Sequence, residues 1–576
     1  MRHNVLACDY DETLARGGRV AETTIEALER LSRAGIKLVL VTGRELDDLL
    51  SVFPHPGLFD LVVAENGGLL YDPGQRTCDA LAMPPPAALA DRLRHEGVSP
   101  LGVGQVVVAT REPHDVRVLG AIRELGLELQ VIYNKGAVMV LPPGVNKASG
   151  LAAALDRLSL SAHSTVAVGD GENDHSFLTA AECGAAVANA LPALRDACDL
   201  RLAGEAGDGV AELAGMMLSG DLDAVEVPRR HVLLGHRDGE EVRLRPYGSG
   251  LLVAGPSGSG KSTVTTALLE RLVGDGYQCV IVDPEGDYAD YPGVTVLGDP
   301  DRVPGVEEVA HLLEQPRQSV VVNLIGLQLR DRPTYFAELL PRLTGVRAKL
   351  GHPHWVVVDE AHHLLPAEVR RVPLGEAADL GSLLMITVHP DAVSAEALRL
   401  VTTTIAVGRE PESTLAAFAG ALGREAPSLD RVADGDIALW RRGDEAAQHL
   451  TLTPATVERT RHRRKYAAGT MAKDKSFYFT GPGERLRLRA RNLHTFVELA
   501  EGVDDDTWLH HLRRGDYSQW IRDCLGDAGL ADEVAALERA DEPEPAESRQ
   551  RVADLIGERY TLPAEPTAFD PDHDDR

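Results

Sequence analysis

The chain has 576 residues, 44% hydrophobic and 26% charged, so it can bury several cores and is not a disordered chain. Lysine and arginine number 59 against 88 aspartate and glutamate, a net charge of −29. That excludes a protein that coats nucleic acid through overall positive charge, while leaving local basic grooves open. Six cysteines without a C-x-x-C pair argue against a disulfide scaffold or a structural zinc site. The opening MRHNVLACDYDETLARGG meets acidic residues at once, and no apolar run approaches membrane-spanning length. A cytoplasmic protein with no membrane partner is expected.

From Val5 to about Gly215, short β-branched runs alternate with helix-like stretches: VLACDYD, IKLVLVTGR, LFDLVVAENGG and STVAVGDGEND. Each run ends in Asp, Gly or Asn, the pattern of a parallel α/β sheet. Residues 1–220 are read as one α/β domain. The stretch 69–138, with its Pro84-Pro85-Pro86 punctuation and the alternating GQVVVATR, is read as an inserted α+β cap. A second α/β block spans 221–456, with candidate strands GLLVAG, QCVIVD, SVVVNLIG, HWVVVDE, LLMITVH and TTIAVG. Residues 457–540 are read as a small, mostly helical domain that opens with the basic hinge RTRHRRK. Residues 541–576, rich in Glu, Pro and Asp, read as a loosely ordered tail.

Asp9 and Asp11 close the first strand at i and i+2, so both carboxylates can enter the crevice at the sheet's C-terminal edge, where such sheets bind ligands. An acidic turn would look the same. The order that follows argues for a site: Thr42-Gly43-Arg44 at the next strand end, Lys147 in LPPGVNKASGL, and Asp170-Gly171-Glu172-Asn173-Asp174 after STVAVG. Four such elements at strand ends and helix starts resemble the haloacid dehalogenase (HAD) superfamily, in the branch with a cap between the second and third motifs. Glu65-Asn66-Gly67-Gly68 is also similar to that branch.

The resemblance implies that Asp9 is a nucleophile passing through an aspartyl-phosphate and that Asp11 is the general acid and then base. It implies that Thr42 and Lys147 bind the phosphoryl oxygens. Mg²⁺ would be held by Asp9, Asp170, Asp174 and the backbone carbonyl of Asp11, an all-oxygen set suited to a hard cation. Glu12 stands where many relatives carry Gly and adds charge beside the site. For Asn173 a helix cap is the lesser alternative, and it is compatible with a role in the site.

Gly255-Pro256-Ser257-Gly258-Ser259-Gly260-Lys261-Ser262-Thr263 lies between the apolar LLVA and the helical VTTALLERLV. This is a phosphate-binding loop in its strand–loop–helix context: backbone N–H groups wrap phosphates, Lys261 reaches the β/γ oxygens and Ser262 ligates Mg²⁺. ATP is the expected substrate. Asp359, ending HWVVVD, is placed to support the metal, and Glu360 to activate water, which favours hydrolysis over phosphoryl transfer. His389 reads as a γ-phosphate sensor or as a packing residue.

The P-loop, Asp283-Pro284-Glu285-Gly286-Asp287-Tyr288 and Asp359-Glu360-Ala361-His362 resemble the HerA/FtsK branch of RecA-like motor ATPases. That resemblance implies a homo-oligomer, a hexameric ring, and nucleic acid as a candidate partner. It also implies an arginine reaching a neighbour's site, with Arg409 the candidate and Arg441 and Arg442 behind it.

Near the C-terminus, Arg485, Arg487, Arg489 and Arg491 alternate after Tyr478 and Phe479. The arrangement reads as a backbone-tracking surface with stacking rings, or as a solvated strand face, the preferred reading. The segment resembles a small uncharacterised domain that implies no chemistry. The phosphatase substrate is read as a phosphorylated small molecule or a nucleotide. Three whole-protein readings stay open: a bifunctional phosphatase–ATPase, a nucleic-acid motor whose phosphatase trims ends or nucleotides, and a polynucleotide kinase–phosphatase. Asp359-Glu360 counts against the last.

Overall fold

Pentads such as VLACD and TVAVG have no polar face, so as strands they must be covered on both sides. The computed structural model of the chain describes residues 3–289, 291–368, 382–429, 436–456, 471, 476–525, 527–539 and 544–560. In it these pentads lie at the centre of an eight-stranded sheet. Its order is Leu200–Arg201, Cys183–Ala186, Thr165–Gly169, Val5–Asp9, Lys37–Val41, Leu61–Ala64, Leu69–Asp72 and Thr77–Ala80. The strands from Leu200–Arg201 through Leu61–Ala64 are parallel, and the last two turn antiparallel. Helices Glu22–Arg33, Lys147–Leu158 and Ala206–Ser219 bury Leu28, Leu31, Leu151, Leu155, Val210 and Leu213 against the sheet.

The insertion is shorter at its start than the sequence indicates. Residues 69–80 form two strands of the main sheet, because Leu69 and Leu70 pair with Ala64 and Val63 and leave no break there. The inserted unit is the four-stranded antiparallel sheet Gly102–Val103, Val108–Arg111, Ala137–Leu141 and Gln130–Asn134, with helices Ala87–His95 and Asp115–Glu124. Its core joins Leu89, Leu93, Val118 and Ile122 to Val108, Val138 and Val140.

All six runs singled out in the second block are strands. They lie in the order Thr403–Ala406, Gly250–Ala254, Ser382–Thr387, Trp355–Val358, Cys279–Asp283, Ser319–Asn323, followed by Val294–Leu297, all parallel. Antiparallel strands, among them Val232–Arg237 and Glu240–Leu244, extend the sheet beyond Thr403–Ala406.

The two sheets share one compact unit. Leu350, on the Arg332–Leu350 helix of the second block, is buried in the first core, with Val346 packed beside it. Arg229 and Arg230, in the connection, donate to the carbonyls of Thr179 and Ala181.

Among the described residues, 291–292 and those from 471 onward form a second unit. Phe477–Phe479 pairs antiparallel with Leu488–Ala490, and helices follow from Leu493 to Arg559. Part of the expected tail is ordered: Pro545–Arg559 is a helix whose Val552, Leu555 and Ile556 enter this core with Trp508 and Tyr517. Their spacing of three and four residues gives that acidic segment an apolar face. Phe479 is fully buried, so it cannot stack on a base, and Arg489 donates to the Met471 carbonyl at 2.6 Å. The RTRHRRK segment and residues 561–576 lie outside the described residues.

Candidate active sites

Parallel strands bring their C-terminal ends to one edge, and the first sheet's motifs meet there. Asp9 ends its strand and is 4% exposed, and Lys147 is the first residue of its helix. A capping box fixes that start: the Asn146 side chain accepts from Ala148 N and Ser149 N, and Ser149 Oγ accepts from Asn146 N at 2.9 Å. Lys147 Nζ then donates to Asp9 Oδ1 at 2.6 Å and Asp174 Oδ1 at 2.5 Å. Burial alone would lower the lysine's pKa; the charges of Asp174 and Asp9 outweigh it and hold the ammonium protonated. Burial pushes the Asp9 carboxyl up, against the pull of Lys147.

Asp174 Oδ2 accepts from Asp170 N and Gly171 N, both at 2.8 Å, which closes the loop after Thr165–Gly169. Asp9, Asp170 and Asp174 each offer an oxygen within 4.8 Å of the others, and all three are buried. Three crowded carboxylates with oxygen donors alone fit a hard divalent cation.

Asp11 stands apart from this cluster. Its carboxylate takes a two-pronged bond from Arg44, at 2.8 Å to Nε and 2.7 Å to Nη2, and Asp48 holds the same guanidinium at 2.6 Å. Thr42 is buried at the strand end, its Oγ1 accepting from Arg44 N at 3.2 Å. Glu12 is engaged by the following turn: its Oε1 accepts from Gly17 N at 2.9 Å. Asn173 does not cap a helix: its Nδ2 donates to Asn66 Oδ1 at 2.8 Å.

Arg44, Thr13 and Lys135 also belong to this site, beyond the residues the sequence pattern points to. Thr13 Oγ1 donates to Asp170 Oδ1 at 3.2 Å, and its place two residues after Asp11, in Asp9-Tyr10-Asp11-Glu12-Thr13, is the available signal. Lys135 enters from the inserted unit and pairs with Asp170; nothing local announces that. Glu65 fastens the insertion to the sheet edge: its carboxylate accepts from Gln105, Val106 and Val107 N at 2.9, 2.6 and 3.0 Å.

In the second sheet, the loop from Gly255 to Gly260 joins strand Gly250–Ala254 to helix Lys261–Gly274. A β-carbon on Gly255 would lie 2.2 Å from the Val407 carbonyl, so only glycine fits. Lys261 Nζ donates to the carbonyls of Gly255 and Pro256 at 2.8 and 2.9 Å. Ser262 and Thr263 follow in the helix's first turn; Pro256, Ser257, Gly258 and Ser259 form the loop.

Asp359 is fully buried after the strand two places away, and Glu360 follows at φ 42°, a positive angle that carries strain. His362 Nδ1 lies 3.5 Å from Glu360 Oε2 and 3.0 Å from Thr387 Oγ1, on the intervening strand. Burial lowers the His362 pKa to about 4. The same Thr387 hydroxyl accepts from His389 N at 3.1 Å, so His389 touches this network through its backbone. Asp283 organises the next loop, accepting from Glu285, Gly286 and Tyr288 N at 3.2, 2.8 and 2.8 Å.

Arg409 is exposed and follows Gly408, where a β-carbon would lie 3.1 Å from Ser259 Cβ. Gly408, not the Arg409 side chain, is what packs on the P-loop. Arg442 donates to the Arg399 and Val401 carbonyls.

A parallel sheet with an inserted lid, a lysine-bridged carboxylate cluster and a P-loop sheet behind it define a hydrolase joined to a RecA-like nucleotide-binding block. The haloacid dehalogenase-like hydrolase family matches residues 6–90 and 111–213, and the central domain of helicase HerA matches residues 248–345. The phosphoglycolate phosphatase of Methanothermobacter thermautotrophicus is 31% identical over 214 residues, 36% of this chain and 95% of that protein. That of Halorubrum lacusprofundi is 33% identical over 218 residues, 36% of this chain and 93% of that protein. A haloacid dehalogenase-like hydrolase structure from Bacteroides thetaiotaomicron aligns at 19% identity and TM-score 0.33, over 37% of this chain and 99% of that one. The chain belongs to the haloacid dehalogenase-like hydrolases through its N-terminal part and carries a HerA-type ATPase domain behind it. Among the described residues, no helix is long and apolar enough to cross a membrane.

Proposed function

We propose that residues 1–220 hydrolyse a phosphomonoester through an aspartyl-phosphate on Asp9 and that residues 221–456 hydrolyse ATP. The observation that carries the first half is the Lys147 ammonium shared between Asp9 and Asp174 beside Asp170. Asp9, Asp170, Asp174 and the Asp11 carbonyl would hold Mg²⁺, which neutralises charge on the phosphoryl oxygens when bound. An Asp9 oxygen attacks phosphorus, the ester P–O bond breaks, and the leaving oxygen takes a proton from Asp11. Asp11 then removes a proton from water, whose oxygen attacks phosphorus and releases Asp9. Thr42 and Lys147 bind the phosphoryl oxygens. The curated relatives make the phosphate ester of glycolate the first substrate to try; other sugar phosphates and nucleotides complete the panel.

In the second half, Lys261 and the loop amides bind the phosphates, Ser262 and Asp359 support Mg²⁺, and Glu360 takes the proton of the attacking water. His362 and Thr387 link Glu360 to the strand end that also carries His389, which fits hydrolysis sensed along that edge. Arg409 is the arginine we propose to reach a neighbouring subunit's site. A homo-oligomer, a hexamer, is the assembly we propose, in the cytoplasm, with nucleic acid as the partner to test. The test is phosphate release from glycolate phosphate, sugar phosphates, nucleotides and 3′-phosphorylated oligonucleotides, with and without ATP. Release from none of them would end the phosphatase reading.

A further inference from the structure

The insertion meets the carboxylate cluster through one hairpin. Asn134 pairs with Ala137 across strands Gln130–Asn134 and Ala137–Leu141, so Lys135 and Gly136 alone form the turn. Both have positive φ, 47° and 82°, angles that suit Asn-Gly and strain a lysine. Such strain persists where the surroundings hold it. Here the Lys135 ammonium pairs with Asp170, a member of the cluster with Asp9 and Asp174. The Lys135 N–H donates to Glu172 Oε2 at 3.1 Å. Beside it, Asn134 Oδ1 lies 2.5 Å from where a β-carbon on Gly171 would stand, so the hairpin sits directly on the loop 170–172.

Both oxygens of Asp170 are engaged in this arrangement. Oδ1 accepts from Thr13 Oγ1 at 3.2 Å, and Oδ2 accepts from Lys135. A cation held by Asp9, Asp170 and Asp174 must therefore share Asp170 with an ammonium, and two positive charges on one carboxylate repel. Two lysines enter the cluster, and they differ. Lys147 starts a helix packed on the main sheet; its side chain is 1% exposed, and it donates to Asp9 and Asp174. The Lys135 side chain is 36% exposed and hangs from a two-residue turn, so it has solvent to swing into. Lys135 is thus the cation that yields. Elsewhere on the insertion, Glu65, 2% exposed, accepts three backbone N–H bonds from Gln105, Val106 and Val107. Those bonds do not involve the cluster, so release of Lys135 unseats the hairpin while Glu65 keeps its hold.

We propose that Lys135 is a latch that a divalent cation displaces. The ammonium and the cation compete for Asp170, so metal loading of the cluster frees the hairpin, and the seated hairpin weakens metal binding by the same factor. The proposal rests on the Mg²⁺ site read above.

The full-length protein, Lys135→Met and Lys135→Arg are titrated with Mg²⁺ by calorimetry without nucleotide. Asp174→Asn, which removes a ligand, identifies the heat that belongs to the cluster. A charge-assisted hydrogen bond is worth about tenfold or more, so Lys135→Met should bind Mg²⁺ at least about tenfold more tightly, and Lys135→Arg as the wild type does. The insertion is followed by pulsed EPR between spin labels at Leu119, exposed on helix Asp115–Glu124, and Glu26, exposed on helix Glu22–Arg33. Non-canonical residues carry the labels, since the chain has six free cysteines. Mg²⁺ should shift the wild-type distance distribution. Lys135→Met should show the shifted distribution without Mg²⁺ and respond no further. A wild-type distribution that ignores bound Mg²⁺ overturns the proposal, as does a Lys135→Met affinity equal to or below that of the wild type; both leave the phosphatase reading standing. Absence of any Mg²⁺ heat that Asp174→Asn abolishes removes the metal site itself, and the proposal with it.

Discussion

The imidazole of His163 lies on the ring of Tyr277, their centroids 3.7 Å apart and their planes 22° from parallel, across the contact between the two sheets. Tyr277 Oη donates to Glu182 Oε2 at 3.1 Å, and His163 Nδ1 lies 2.8 Å from the same oxygen. His163 Nε2 lies 2.8 Å from the carbonyl of Asp275, the C-cap of the helix that begins at Lys261. The His352 ring meets, at 3.4 Å, the carbonyl of Ser159, the C-cap of the helix that begins at Lys147. Each helix therefore carries its site's lysine at one end and the shared contact at the other.

Tyr277→Ala should destabilise the protein by about 3 kcal/mol, since it removes a fully buried ring. Tyr277→Phe should cost about 1 kcal/mol, because only the hydroxyl bond to Glu182 is lost. Urea denaturation of both variants measures the difference; equal costs would mean that the stack adds nothing.

Stability should fall on mild acidification. Burial lowers the His352 pKa to about 4 and takes His354 well below its ordinary value. The unfolded chain, with histidine near 6.5, binds protons first, so the stabilisation is complete above about pH 6.5 and is lost as pH falls towards 4. Each such histidine adds a slope of about 1.4 kcal/mol per pH unit in that window. Melting temperature measured from pH 7.5 to 5 should drop, and His352→Gln should flatten the dependence.

Asp9→Asn should reduce Mg²⁺-dependent hydrolysis of an aryl phosphate by about 10⁴-fold or more, because an amide cannot attack phosphorus. ATP hydrolysis should survive in the same variant. Full phosphatase activity there would refute the nucleophile assignment.

Lys261→Ala should weaken nucleotide binding. Glu360→Gln should bind ATP yet hydrolyse it about 10²- to 10⁴-fold more slowly, since only the base is lost. Normal turnover in Glu360→Gln, or transfer of the γ-phosphate to a polynucleotide 5′-hydroxyl, would refute the motor-ATPase reading.

Light scattering with ATP and Mg²⁺ should reveal an oligomer whose ATPase activity falls on dilution. A monomer hydrolysing at a rate independent of concentration would refute the ring. Arg409→Ala should bind ATP and hydrolyse it slowly, and mixing it with Lys261→Ala should restore part of the activity if Arg409 serves the neighbouring P-loop. No recovery on mixing would assign it to its own site instead.

What the sequence determined by itself is local in origin. A buried parallel strand needs an unbroken apolar run, and its end turns at polar or small residues, so Asp9, Thr42-Gly43, Asp170, the P-loop and Asp359 are legible as strand ends without any structure. The tertiary structure alone decided what lies across from them. Arg44 turning onto Asp11, Lys135 reaching Asp170 from a hairpin 35 residues away in sequence, and His163 covering Tyr277 from the other sheet are contacts between distant segments. No periodicity encodes such contacts, because each depends on how separately formed elements pack. The same reason explains the helix Pro545–Arg559: the acidic, proline-containing stretch 541–576 around it reads as a solvated tail, and only a core that accepts Val552, Leu555 and Ile556 makes it fold.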